Sequence, residues 1–179
     1  YIGEFRKIKA SVLKEFQAFT TEELQLHNYL CVPIYQFGKL KFIEGRYMGN
    51  VTSQPKYFRR PHKGKVSNIL FPLDKVKNTN YIILVEGLFD MLNMWHLGYK
   101  NTLAIFGASN FGRNKLDLVD KIGVNRVDIM MDPDAPGQMA AEKIQSLLDS
   151  KNIYSRIIKL PIGRDPGDIT KDVAEAALK

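Results

Sequence analysis

The sequence predicts an α/β chain: a mainly parallel four-stranded sheet with helices on both faces, preceded by a small basic α+β subdomain. The order of the elements and the composition of the strand-like runs predict the sheet. From Tyr81 onward, short runs rich in Ile, Leu and Val alternate with helical patterns in a β-α-β-α-β-α-β-α order. Such apolar runs belong to parallel strands covered on both faces. A third observation, a change of character near residue 80, predicts the division into residues 1–79 and residues 80–179, with Lys77 to Asn80 as the joint.

In the first part, Ser11 to Phe16 reads as a short helix and Thr21 to Leu26 as a second. Val32 to Tyr35, Leu40 to Ile43 and Arg46 to Met48 read as short strands joined by Gly38 and Gly45, and Gly49 to Asn68 as a polar, turn-rich stretch. In the second part, strands are expected at Tyr81 to Val85, Thr102 to Phe106, Val127 to Met131 and Tyr154 to Leu160. Helices are expected at Leu88 to Leu97, Arg113 to Ile122, Gln138 to Leu148 and Ile169 to Leu178. Right-handed crossovers then place all four strand C-termini on one edge, where α/β folds bind ligands.

The 179 residues include 26 basic and 19 acidic side chains, a formal charge of +7, and 45% are hydrophobic. That is enough to bury a core, and it excludes disordered, collagen-like and coiled-coil classes. Basic residues concentrate at Lys39, Lys41, Arg46, Lys56, Arg59, Arg60, Lys63 and Lys65, against the single acid Glu44, which favours a polyanionic partner. The lone cysteine, Cys31, excludes a disulfide framework and any zinc site needing two thiolates, and it fits a reducing compartment. No apolar run approaches the roughly 20 residues that cross a bilayer. The expectation is a soluble cytoplasmic protein with no membrane partner; a chain opening at Tyr1 also reads as a piece of a longer one.

Acids mark the strand ends. Glu86 follows the first strand of the α/β part, Asp132 and Asp134 follow the third, and Asp165 and Asp168 follow the fourth within Gly163-Arg164-Asp165-Pro166-Gly167-Asp168. Residues i and i+2 of an extended segment face the same way, so Asp132 and Asp134 can share a pocket. Carboxylates gathered this closely repel one another unless a cation sits among them, and an all-oxygen site suits Mg²⁺ or Mn²⁺. Taken singly, Asp134, Asp168 and Asp90 also fit helix caps or first-turn acids. Glu86 needs no such role, and the set together favours a metal site.

Ile83-Leu84-Val85-Glu86-Gly87-Leu88-Phe89-Asp90, then Ala104-Ile105-Phe106-Gly107, then Asp132-Pro133-Asp134-Ala135-Pro136-Gly137 resemble the TOPRIM domain, a Rossmann-like fold shared by DnaG-type primases, topoisomerases and some nucleases. Its hallmark is a glutamate after one strand and Asp-x-Asp after a later one; Gly87, Asp90, Gly107 and Gly137 belong to the same motifs. Upstream, Gly45-Arg46-Tyr47-Met48-Gly49, Pro55-Lys56-Tyr57-Phe58 and His62-Lys63-Gly64-Lys65 are similar to elements that precede TOPRIM in the catalytic core of DnaG-type primases, including phage primase-helicases. Where many primases carry Asp-Pro-Asp after the last strand, this chain has Asp165-Pro166-Gly167-Asp168, which leaves two candidates for the metal.

The resemblance implies a primase core that makes short RNA primers on single-stranded DNA by Mg²⁺- or Mn²⁺-dependent nucleotidyl transfer. It implies Glu86, Asp132 and Asp134 as catalytic metal ligands, with Asp165 or Asp168 in support. Arg46, Lys56 and Lys63 would contact phosphates; Arg59, Arg60 and Lys65 would extend an electrostatic track beside Tyr57 and Phe58, whose rings can stack on bases. Implied partners are the template, ribonucleoside triphosphates, the RNA–DNA hybrid product, a replicative helicase and a zinc-binding template-recognition domain in cis or in trans. A TOPRIM nuclease using the same acids, or a non-catalytic primase-derived nucleic-acid-binding module, are the alternatives. Gly107 to Gly112 falls short of a phosphate-binding P-loop, which needs Lys and then Ser or Thr where this chain has Arg113 and Asn114. Cys31, His27, His96, Met130 and Met131 read as packing or surface residues.

Overall fold

The computed structural model describes residues 3–49, 54–61, 66–76 and 78–179. It forms two compact units, Tyr1–Lys65 and Val66–Lys179. The division falls ahead of Lys77 to Asn80 because the intervening segment packs with the second unit: Phe71 and Ala104 exchange backbone hydrogen bonds of 3.2 and 2.7 Å.

In the first unit, a short helix α1 (Ala10–Glu15) buries Val12 and Leu13. An antiparallel sheet follows, in the order β1 (Tyr29–Gln36), β2 (Lys39–Tyr47) and β3 (Tyr57–Arg60). Phe37 and Gly38 both have positive φ, 56° and 68°, the backbone that a two-residue hairpin turn demands. Gly45, expected as a joint between two strands, lies inside the continuous β2. A Cβ there would press on the Tyr29 ring at 3.2 Å and on Cys31 Sγ at 3.4 Å, so glycine admits a close approach rather than a break. The helix expected over Thr21 to Leu26 is absent. Residues 24–28 form turns, Asn28 is left-handed, and Leu24 is 95% exposed, so Leu26 packs inward without a helical apolar stripe beside it. Strand β3, unforeseen in the polar stretch, exists through its pairing with β2, Arg46 opposite Tyr57.

The second unit is built on a parallel sheet in the order β5-β4-β6-β7, comprising β4 (Tyr81–Val85), β5 (Thr102–Ala104), β6 (Arg126–Met130) and β7 (Tyr154–Ile157). Helices α2 (Leu88–His96), α3 (Arg113–Lys121) and α4 (Ala135–Asp149) connect the strands, and α5 (Lys171–Leu178) follows β7. The first crossover moves one way along the sheet and the next two move the other way. Right-handed connections therefore put α2 on one face and α3 with α4 on the other, where these two helices pack together. Ile82, Ile83, Leu84, Val85, Val127, Ile129 and Met130 are fully buried, as strands covered on both faces require. Strand β5 stops at Ala104, two residues before the expected end, and Phe106 turns the chain with φ 59°. Helix α4 starts at Ala135 rather than Gln138 because Asp134 caps it and Pro136 suits its first turn.

Candidate active site at the carboxyl edge of the sheet

Neighbouring strands β4 and β6 pair with Val85 opposite Met130, so Glu86 and Asp132 leave the sheet close together. The order of connections reverses between these same strands, and in open α/β sheets that switch point opens the ligand crevice.

Glu86 is half-buried. The turn after β5 wraps it: Gly107 donates its N–H to the Glu86 carbonyl at 3.1 Å, and the Ala108 backbone hydrogen-bonds the carboxylate. Burial pushes the Glu86 carboxyl above its ordinary pKa, the Ala108 bond opposes this, and the charge of Asp134 adds to it. Asp90, one turn into α2, accepts the Gly87 N–H at 2.7 Å and closes the first turn of the helix. Burial, joined by the charges of Asp132, Asp165 and Glu86, pushes its carboxyl up to about 7 against the Gly87 bond.

The Asp132–Asp134 loop is pinned at both ends. Asp134 Oδ1 accepts the Gly137 N–H at 2.8 Å, and Gln138 Nε2 donates to the Asp132 carbonyl at 3.2 Å. Asp134 is thus both a helix cap and a rim acid. Gly137 is required by closeness, since a Cβ would overlap the Asp132 carbonyl oxygen and lie 3.0 Å from Asp134 Oδ1. A second glycine does the same for the last loop: a Cβ on Gly167 would lie 2.7 Å from Asp90 Oδ1 and 3.0 Å from Asp165 Oδ1. The carboxylates of Asp90 and Asp165 therefore converge on one spot. Asp168 turns back on its own loop, accepting the Asp165 N–H at 3.2 Å and lying 3.6 Å from Arg164.

Five acids from three strand ends and one helix thus share the rim: Glu86, Asp90, Asp132, Asp134 and Asp165. In the sequence Asp90 reads as a motif residue and a first-turn acid; its placement four residues after Glu86, one turn into the helix, is the signal that brings it to the rim. All five offer hard oxygen donors, and burial together with their mutual repulsion raises Asp90 and Glu86, so the chemistry of the donor set fits Mg²⁺ or Mn²⁺. Among the described residues no three His, Cys, Asp or Glu side chains are placed so that together they could hold a metal ion as they stand.

The first unit carries a separate basic and aromatic face. The Arg46 guanidinium stands 4.7 Å above the Tyr57 ring, with Lys56 Nζ at 5.7 Å. Arg46 Nη1 is buried with no hydrogen-bond partner among the described residues, a costly arrangement that an anionic oxygen would relieve. Tyr57 is 44% exposed, whereas Phe58 packs inward, 5.9 Å from the Tyr29 ring. Arg59 and Arg60, expected on the basic track, hold acids instead: Arg59 Nε donates to Glu44 at 2.7 Å, and Arg60 pairs with Glu23. Lys63 and Lys65, with His62 and Gly64, lie outside the described residues. Among the described residues no helix is long and apolar enough to cross a membrane.

Residues 83–170 match the Toprim-like family model. The chain is 30% identical to the DNA primase of Synechocystis sp. over 93% of its own length and 28% of that protein's. It is 29% identical to the DNA primase of Aquifex aeolicus, over 80% of this chain and 28% of the other. The chain thus spans just over a quarter of these curated relatives. Among solved structures, the Aquifex aeolicus primase zinc-binding and RNA polymerase domains superpose with a TM-score of 0.70 at 25% identity, covering 94% of this chain and 44% of that one. A DnaG catalytic core superposes with a TM-score of 0.80 at 20% identity, covering 97% and 69%. The sheet order, the rim acids and this likeness agree: the chain belongs to the TOPRIM-containing DnaG-type primase cores.

Proposed function

We propose that the chain is the RNA-polymerase core of a DNA primase, joining ribonucleotides into short primers on single-stranded DNA. The observation that carries this reading is the convergence of Glu86, Asp132, Asp134 and Asp165 with Asp90 at the switch point of the sheet. TOPRIM primase cores are generally dependent on divalent metal. When bound, Mg²⁺ or Mn²⁺ supplies charge neutralisation at the phosphates and activation of the attacking hydroxyl. Glu86, Asp132 and Asp134 hold it in this reading, with Asp165 rather than Asp168 as the supporting acid. The 3′ hydroxyl of one nucleotide attacks the α-phosphate of the next, and pyrophosphate leaves.

Arg46 and Lys56 engage phosphate oxygens, for which their charged N–H donors are suited, and the outward ring of Tyr57 stacks on a base. Lys63 and Lys65 are further candidates for phosphate contact in this reading. The Aquifex aeolicus structure includes a zinc-binding domain. A similar domain, in cis or in trans, would read the template here, because one cysteine in these 179 residues cannot build a multi-thiolate site. A replicative helicase is a further partner in this reading.

The test is to incubate the protein with single-stranded DNA, labelled ribonucleotides and Mn²⁺ and to resolve the products by length. Short RNA that disappears in Asp132→Ala is the expected result. Shortening of the DNA with no RNA made would replace this reading with a nuclease. Salt-sensitive DNA binding with neither product, when a zinc-binding domain is supplied in trans, would reduce the chain to a binding module.

A further inference from the structure

Asn93 is a polar residue only 4% exposed, near the middle of α2. It sits three residues after Asp90, so both side chains lie on the same side of the helix. Its Nδ2 donates to two backbone carbonyls of the last acidic loop, Pro166 at 2.8 Å and Ile169 at 3.1 Å. A primary amide is the neutral group that offers two N–H donors from one atom, and both are used. The two carbonyls bracket Gly167, whose backbone approaches Asp90 so closely that a Cβ would meet both its Oδ1 and, at 3.6 Å, its amide nitrogen. Within the loop, Asp165 Oδ1 accepts the Gly167 N–H at 2.9 Å, and the Asp165 carbonyl accepts the Asp168 N–H at 3.1 Å. Asn93 therefore fixes the loop to α2 on the side where Asp165 meets Asp90.

We propose that Asn93 is a positioning residue for the metal site: it clamps the 166–169 backbone to α2 and so holds the Asp165 carboxylate beside Asp90. This rests on the reading of Asp165 as a metal-supporting acid. Residues that orient ligands from behind typically change metal affinity by 10–100-fold when removed. Asn93→Ala is therefore expected to weaken Mn²⁺ binding by about tenfold.

The experiment is calorimetric titration of the whole chain with Mn²⁺ alone, for the wild type, Asn93→Ala, Asp165→Ala and the double variant, alongside amide hydrogen exchange without metal. The expected result is a loss of about tenfold for each single variant and almost no further loss in the double variant. Exchange at the Gly167 and Asp168 amides should rise at least roughly tenfold in Asn93→Ala, with the β4 amides unchanged. A purely structural role gives additive losses and faster exchange throughout the unit, and either result overturns the proposal. So does unchanged Mn²⁺ affinity in Asn93→Ala where Asp165→Ala weakens binding. If Asp132→Ala and Asp165→Ala both leave Mn²⁺ binding intact, the metal site itself is wrong; the metal-free exchange then shows separately whether the clamp exists. Asn93→Ser, which retains one donor, gives an intermediate loss and takes the place of Asn93→Ala should that variant fail to fold.

Discussion

Gly137→Ala sets two physical effects against each other at the metal-site loop. Gly137 lies in the first turn of α4, where alanine by propensity alone would gain up to about 1 kcal/mol. Against this, the new Cβ would overlap the Asp132 carbonyl oxygen and stand 3.1 Å from its carbonyl carbon and 3.0 Å from Asp134 Oδ1. Carbon contacts are comfortable at about 3.5–4.0 Å, so the Asp132 backbone must give way. Overpacking of this kind costs about 1–3 kcal/mol, which outweighs the propensity gain. Set against the full propensity gain, the net cost is up to about 2 kcal/mol, and at about 2–4 °C per kcal/mol for a chain of this size calorimetry should find the variant melting up to about 8 °C lower. The displaced segment carries Asp132 and Asp134, and misplacing reacting groups by about 1 Å can cost 100-fold in rate, so primer synthesis should fall by far more than stability. Gly112→Ser is the control: its Cβ meets nothing within 4 Å, and serine caps the following helix well. A Gly137→Ala protein that melts at or above the wild type and still makes primers at the normal rate would refute the reasoning.

Asp128→Ala removes a fully buried carboxylate held by Arg156 through bonds of 2.9 and 2.6 Å and by the Tyr81 hydroxyl at 2.8 Å; it should cost about 3–5 kcal/mol in urea unfolding. Burial alone would raise Asp128, but Arg156 and Tyr81 hold it below its ordinary pKa. Its stabilisation is therefore present above about pH 4 and lost as pH falls through the depressed value, a loss that Asp128→Asn should flatten in acid titrations. Asp90 has the opposite sign: raised to about 7, it favours the fold below its unfolded value near 4. Melting temperature measured in EDTA should accordingly fall from pH 5 to pH 8, and Mn²⁺ should raise it more at pH 8 than at pH 6. Tyr57→Ala should weaken single-stranded DNA binding by about 1–3 kcal/mol with little loss of stability, and Phe58→Ala should do the reverse, as titration and melting of the two variants would show.

The parallel sheet was legible because burial on both faces demands continuous apolar runs, and Tyr81 to Val85 and Val127 to Met130 supply them. The acids after those strands could be read for the same reason, since right-handed crossovers fix which edge they reach. What escaped depends on partners distant in sequence. Strand β3 is set by pairing with β2, and Gly45 by the Tyr29 ring. Asn93 is a polar residue in a mainly apolar helix, with nothing near it in sequence to bind. Only the return of the chain more than seventy residues later gives it two carbonyls to bind.

Strand β6 shows how one residue type serves opposite ends. Asp128, inside the strand, is surrounded by Arg156, Tyr81 and Arg126, and its carboxyl is held low. Asp132, four residues on, lies among carboxylates close enough to push Asp90 up. The first arrangement stabilises the fold, because the charge is matched when the protein folds. The second opposes folding at neutral pH, since like charges are brought together as they are desolvated. A cluster that costs stability persists where the surrounding structure over-determines it, and here two glycines, the Asp134 cap and the Asn93 amide do so. Burial alone would mark Asp128 as the more notable of the two aspartates. The sign of the surrounding charge separates them, and Asp132 is the one that the proposed function assigns to a cation.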